Sequence, residues 1–229
     1  MSKYSIKYVA SRIQHTNVTP EATKHDIERL CRECIQYGFD AAVVNPIWVK
    51  HASAILKGTG VKVCAAINFP IGASTHLSKV VEIRSMLADG CDGVDFMINV
   101  GYLKSGMLEE FRRDIELVVE AADGRTVKAI LETAILTEDE LRTAARICEE
   151  AGVHYIKNSS GWGKGGPATV EIIKFMRSLV GPKVGVKASG GIRDLATAEA
   201  LLEAGASLLG TSRGVQIVTG VGVSGETGY

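Results

Sequence analysis

A chain of 229 residues with 26 basic and 26 acidic side chains carries no formal net charge. That argues against a general nucleic-acid or membrane-surface protein and makes any anion binding local. Hydrophobic residues at 46% and charged residues at 23% are an ordinary globular composition, and a chain of this size buries a core without disulfides.

In chain order, short β-branched runs alternate with amphipathic helical patterns. Strand-like runs fall at 11–15 (SRIQH), 41–44 (AAVV), 61–67 (VKVCAAI) and 93–98 (GVDFMI), then at 126–131 (TVKAIL), 154–157 (HYIK), 183–187 (KVGVK) and 207–210 (SLLG). Helical patterns fill the gaps. The first runs from about Pro20 to Gly38. Others read from HLSKVVEIRSMLADG, from LEEFRRDIELVVEAADG, and from Thr137 to Gly152, where Thr137 and Glu140 form a capping box. A last one runs from Asp194 to Gly205. About eight strands, spaced by about one βα unit each, predict an α/β protein with a single (β/α)8 TIM barrel. No linker divides the chain, so 1–229 reads as one domain, with 219–229 expected to form a mobile C-terminal tail. No G-x-G-x-x-G follows the first strand, which counts against a dinucleotide fold.

Cys31 and Cys34 form a C-x-x-C, but Ile27, Leu30, Cys31, Cys34 and Ile35 read as one helical stripe, so these thiols are expected to pack in a core. The five histidines show no ligand spacing, and no metal centre or cofactor is expected. Odd cysteines, no signal-peptide pattern and no run near the roughly 18 apolar residues of a membrane span predict a cytoplasmic protein.

In such a barrel the active site sits at the C-terminal strand ends. Residues closing or following the strands are Gln14 and His15, Asn45, Asn68, Asp95 with Asn99, Glu132, Lys157, Lys187, and Thr211 with Ser212. Lys157 and Lys187 close neighbouring strands. Two ammonium groups in one partly dry pocket repel, which favours a neutral amine able to attack a carbonyl and form a Schiff base. Two unrelated rim lysines would give the same spacing. Asp95 lies within an apolar run, where a carboxylate either relays protons or pairs with a lysine. SGGIRD (189–194) and GTSRG (210–214) follow strands seven and eight, where barrels commonly hold a substrate phosphate. Arg193 and Arg213 add charge there. Ordinary tight turns are the alternative reading.

With these residues in place, the sequence resembles the deoxyribose-phosphate aldolase family, metal-free class I aldolases with a (β/α)8 fold, from about Gln14 to Val218. The most specific stretches are YIKNSSG and VGVKASGGIR; VNP, VDFMINVG, LKSG and GTSRGV match in character and order. The resemblance implies that Lys157 forms the imine, Lys187 tunes it and Asp95 relays protons. It implies phosphate contacts at Gly161, Gly190, Gly191, Gly210 and Ser212, and a role for the terminal Tyr229. It also implies sugar-phosphate and aldehyde ligands and a homo-oligomer, dimeric or tetrameric. Four positions depart from the family pattern. Gln14 replaces the acid of Ile-Asp-His-Thr, Val43 stands where cysteine is common, Trp162 is bulky where lysine or phenylalanine is usual, and Arg213 stands where a second serine is common.

The resemblance implies reversible cleavage of 2-deoxy-D-ribose 5-phosphate to acetaldehyde and D-glyceraldehyde 3-phosphate. The departures leave open a same-mechanism aldolase for a different aldehyde pair, phosphorylated or not. A non-catalytic sugar-phosphate-binding barrel is the reading from another class.

Overall fold

The computed structural model describes residues 3–162 and 164–221. Eight strands close into one barrel: β1 (Ile13–Asn17), β2 (Ala41–Val44), β3 (Lys62–Ile67), β4 (Gly93–Met97), β5 (Thr126–Ile130), β6 (Tyr155–Lys157), β7 (Gly185–Ser189) and β8 (Leu208–Thr211). Every neighbour pair is parallel, including the closing pair β1–β8. The (β/α)8 expectation holds strand for strand. The main boundary shifts are β1 and β7, which each start two residues later than expected, so Lys187 lies mid-strand and Ser189 closes β7.

Local chemistry sets the helices between them. Thr23 and Asp26 cap the helix Lys24–Tyr37 reciprocally, and Gly38 ends it in the left-handed conformation at φ 69°. Thr137 and Glu140 do the same at the start of Glu138–Glu150. Cys31 and Cys34 are buried against the barrel, but Ile35 is 44% exposed and stands off the expected stripe. The side chain two turns from Ile27 on the core face is Cys34; Ile35 has rotated past the edge. All five cysteines are free and buried, and burial pushes the Cys31 thiol up to about 11. Helices Ile6–Ala10, Val49–Leu56, Val100–Lys104 and Val170–Leu179 were not expected from the sequence. No helix among the described residues is long and apolar enough to cross a membrane.

Side chains alternate across each strand, one to the helical shell and the next into the barrel. The outward set joins the helices in one large apolar core. The inward set is divided. On β2 and β3 it is apolar: Ala41, Val43, Cys64 and Ala66 pack with Val18, and Phe69 and Trp162 lie against them. On β1 and β4 to β7 it holds Gln14, Asp95, Lys128, Lys157 and Lys187, all buried.

Candidate active site

The register brings the charged residues together. Lys157 and Lys187 are direct partners across β6 and β7, and Asp95 pairs with Lys128 across β4 and β5. Lys187 Nζ donates to Asp95 Oδ2 at 2.6 Å, and Lys157 Nζ donates to the same oxygen at 3.2 Å. Lys128 Nζ lies 3.0 Å from the other oxygen, Oδ1, and 3.5 Å from Cys64 Sγ. Of the two readings of Asp95 from the sequence, relay or lysine partner, the pairing is what the geometry displays. Asp95 sits mid-strand and touches all three from within the barrel.

One carboxylate thus faces three amines. Burial alone would push the Asp95 carboxyl up, but Lys128, Lys187 and Lys157 together hold it well below the usual carboxylate range. The amines share out what remains. Burial pulls the Lys128 ammonium down, and its pairing with Asp95 more than offsets this, so it holds its proton more tightly than a free lysine. Burial drives Lys187 down to about 7, with the Lys157 and Lys128 charges pushing the same way and Asp95 pulling against them. The depressed amine expected from two adjacent lysines is therefore Lys187. It is sealed at 0% exposure, while Lys157 keeps 4%.

Gln14 extends the cluster. Its Oε1 accepts from Lys187 at 2.6 Å and its Nε2 donates to Asp40 Oδ2 at 2.8 Å. Lys62 Nζ in turn donates to Asp40 Oδ1 at 2.7 Å. Asp40 only accepts, so the amide of Gln14 has one orientation. His15, the next residue, points outward. Its Nε2 meets Glu33 on the helix Lys24–Tyr37 at 2.8 Å, so it does not line the mouth. Lys128 and Asp40 were missed by sequence reasoning. Lys128 carries the same signal that exposed Asp95, a charge inside an apolar strand.

Beyond the cluster, the glycine loops after β7 and β8 meet as expected. Gly190, Gly191, Ile192, Arg193, Gly210, Thr211, Ser212 and Arg213 line one small concave pocket. Thr211 joins the loops: its Oγ1 donates to Ile192 O at 2.7 Å and accepts from Arg213 N at 2.9 Å. Gly161 is not among the residues lining that pocket, and its N–H already donates to Ser159 Oγ at 3.0 Å. The loop around it is held by Glu132, whose Oε1 accepts from Ser160 N at 3.3 Å. Gly210 has a second role. A Cβ there would lie 2.3 Å from Ser189 Oγ and 3.0 Å from Lys187 Cε, so its bare side leaves room inside the barrel. Among the described residues no three His, Cys, Asp or Glu side chains are placed to hold a metal ion.

The geometry sets a barely exposed amine beside a fully buried one, with a glycine-lined pocket on the loops that follow β7 and β8. Comparison with known proteins gives the family. Residues 4–221 match the family model described as DeoC/LacD family aldolase. The chain belongs to the DeoC/LacD family of aldolases. It is 51% identical over 217 residues to the deoxyribose-phosphate aldolase of Brevibacillus brevis, covering 95% of this chain and 97% of that protein. A crystal structure from Coccidioides immitis superposes with a TM-score of 0.91 at 34% identity, covering 95% of this chain and 87% of that one. The tetrameric deoxyribose phosphate aldolase of Aeropyrum pernix gives 0.87 at 33% identity, covering 93% and 91%.

Within this DeoC/LacD aldolase, the departures noted in the sequence surround the lysines without displacing them. Gln14 is wired to Lys187, Arg213 lines the glycine pocket, and Trp162 with Val43 belongs to the apolar side of the barrel. Tyr229, and all of the expected tail beyond Val221, lie outside the described residues.

Proposed function

We propose that this aldolase reversibly cleaves 2-deoxy-D-ribose 5-phosphate to acetaldehyde and D-glyceraldehyde 3-phosphate through a Schiff base on Lys157. One observation carries the assignment of roles: two lysines meet on a single oxygen of Asp95, and of the two only Lys157 keeps any exposed surface. Attack needs a free amine with access to substrate. Lys187, which burial lowers to about 7, lies fully buried on the same Asp95 oxygen and is the candidate general base beside the nucleophile.

The amine of Lys157 attacks C1 of the open-chain sugar. Proton return to the carbinolamine oxygen expels water and leaves an iminium. Loss of the C3 hydroxyl proton then breaks the C2–C3 bond, and its electron pair flows into the iminium to give an enamine. Glyceraldehyde 3-phosphate leaves, the enamine carbon takes a proton, and water releases acetaldehyde. Asp95 touches both amines and carries protons between them, with water as the outer partner. The phosphate fits the pocket lined by Gly190, Gly191, Gly210, Ser212 and Arg213. Incubation with acetaldehyde and borohydride tests this: a two-carbon adduct is expected on Lys157. Absence of that adduct, or its persistence in Lys157→Ala, would sink the assignment.

A second reading, the same mechanism on a different aldehyde pair, is favoured by Trp162 and Phe69 covering the apolar side. A donor and acceptor panel separates the two; a wide preference for deoxyribose 5-phosphate removes the second.

The chain is also proposed to assemble as a homo-oligomer. Ile47, Leu77 and Val81, at 79%, 71% and 58% exposure, line one groove. Sedimentation showing only monomer at micromolar concentration would refute it. Five free, buried cysteines support a reducing cytoplasm, which fractionation of the source cells would test.

A further inference from the structure

His15 is buried, and its ring is held at both nitrogens. Nε2 meets Glu33 Oε2 on the helix Lys24–Tyr37 at 2.8 Å. Nδ1 meets the main-chain oxygen of Thr211 at 3.3 Å. A carbonyl oxygen only accepts, so Nδ1 carries the hydrogen of that bond. Whichever partner holds the proton between Nε2 and Glu33, the ring is clamped. Phe39 packs edge-on against it, with ring centroids 5.2 Å apart.

The clamp acts where β8 ends. His15 and Thr211 are direct partners across β1 and β8, and Thr211 is the last residue of β8. The chain then turns through Ser212 and Arg213, and Thr211 Oγ1 accepts from Arg213 N at 2.9 Å. Gly214 rests on the same ring: a Cβ there would lie 3.0 Å from His15 Nδ1 and 3.0 Å from two carbons of Phe39. His15 thus supports the turn at both of its ends. Thr211, Ser212 and Arg213 line the glycine pocket, which His15 itself does not line.

A trans peptide is planar, with its C=O and N–H on opposite sides. The Thr211 carbonyl is held toward β1, so the Ser212 N–H points the other way. The other neighbour of β8 is β7, whose loop brings Gly190 and Gly191 to the pocket. Among the described residues the Ser212 N–H has no hydrogen-bond acceptor.

We propose that His15 is a positioning residue for the substrate phosphate: by holding the end of β8 it aims the Ser212 N–H at an anion in the glycine pocket. The inference rests on the proposed aldol reaction and its phosphate site. A backbone donor binds an anion well only when its direction is fixed beforehand, and here a buried imidazole outside the pocket fixes it.

The test runs synthesis from acetaldehyde with D-glyceraldehyde 3-phosphate or unphosphorylated D-glyceraldehyde as acceptor. His15→Leu keeps an apolar group beside Phe39 and removes both ring nitrogens. KM for the phosphorylated acceptor should rise about five-fold with kcat within about two-fold, the effect of weakening one hydrogen bond. For the unphosphorylated acceptor kcat/KM should stay within about two-fold. His15→Asn, whose amide places a donor where Nδ1 stands, should return KM to within about two-fold of wild type. Equal losses for both acceptors, an unchanged KM, or no rescue by asparagine overturns the proposal. If the leucine variant folds poorly, Glu33→Ala frees the ring from its other, partly exposed end; an unchanged KM there overturns it too. The acetaldehyde–borohydride adduct on Lys157 is measured in parallel. If wild-type protein forms none, the aldol reading fails and this one with it. If the adduct forms but wild type does not prefer the phosphorylated acceptor, the phosphate site fails, and this proposal with it. If that preference is present and survives His15→Leu undiminished, only the role of His15 fails.

Discussion

Gln14 Oε1 stands 2.6 Å from Lys187 Nζ, and Asp40 holds the amide so that no other atom of it can face the lysine. Among the described residues, the groups facing Lys187 are then Asp95 as the one anion, Gln14 as a neutral acceptor, and Lys157 and Lys128 as cations, with Asp40 beyond the amide. A lysine whose folded value falls to about 7 loses its proton as the pH rises through 7. If catalysis needs it as a base, kcat/KM falls on the acid side of about pH 7. Gln14→Glu places a second anion beside it and should move that limb up by about one pH unit. Gln14→Met removes an acceptor that favours the ammonium and should move it down. Rate–pH profiles of the two variants that shift in the same direction would contradict this account.

Among the described residues Asp95 is the only carboxylate touching Lys128, Lys157 and Lys187. Asp95→Asn leaves buried amines without a counter-charge, a change that costs about 3–5 kcal/mol when a buried pair is broken. A melting temperature lower by roughly 6–12 °C is expected for a chain of this size. The deficit should shrink as the pH rises, because the buried amines then shed protons that the unfolded chain still binds. Thermal melts at pH 6 and pH 9 decide it; a deficit independent of pH would count against charge as the cause.

Positions 189 and 210 compete for one volume. Gly210→Ala puts a methyl group 2.3 Å from Ser189 Oγ and 3.0 Å from Lys187 Cε, so the serine and the lysine stem must move. Overpacking of this kind costs about 1–3 kcal/mol. Adding Ser189→Ala removes the nearest obstacle and should recover a measurable part of the loss. A double-mutant cycle read by chemical denaturation measures the coupling, and strictly additive losses would mean that the two side chains do not meet.

Trp162 lies against Val18, Ala41, Val43, Cys64 and Ala66 together with Phe69. Trp162→Ala should open this side and improve kcat/KM for propanal relative to acetaldehyde as donor, by about three-fold or more for one added methylene. Unchanged relative rates across a series of straight-chain donors would place the donor elsewhere.

Much of this was legible in the sequence, for reasons that can be named. Alternation of β-branched runs with capped amphipathic helices gave the eight units, and strand boundaries fell within about two residues because Gly and polar residues bracket the runs. Lys157, Lys187 and Asp95 stood out as charges in apolar runs. Lys128 carries the same mark within TVKAIL, but it lies mid-strand, away from the strand ends where barrels build their active sites. Asp40 was hidden because it precedes β2 and acts only through Gln14. Gly161 followed family resemblance into the pocket, yet its N–H is spent on Ser159. His15 was misjudged for a simpler reason: residues 14 and 15 point to opposite sides of β1, and a sequence does not say which of two polar neighbours faces in.

The division of the barrel interior has a consequence for the order of events. An enamine is a carbon nucleophile, and a stray proton ends its usefulness. The amines and Asp95 lie on β4 to β7, with Lys128 Nζ reaching Cys64 Sγ on β3 at 3.5 Å, whereas Val43 and Ala66 on β2 and β3 present apolar side chains to the interior. A methylene carbon lodged against Val43 and Ala66 meets side chains that carry no transferable proton until its aldehyde partner arrives. The split wall would act as a timer, holding the intermediate unquenched so that its fate is decided by which of two visitors, a second aldehyde or water, reaches it first.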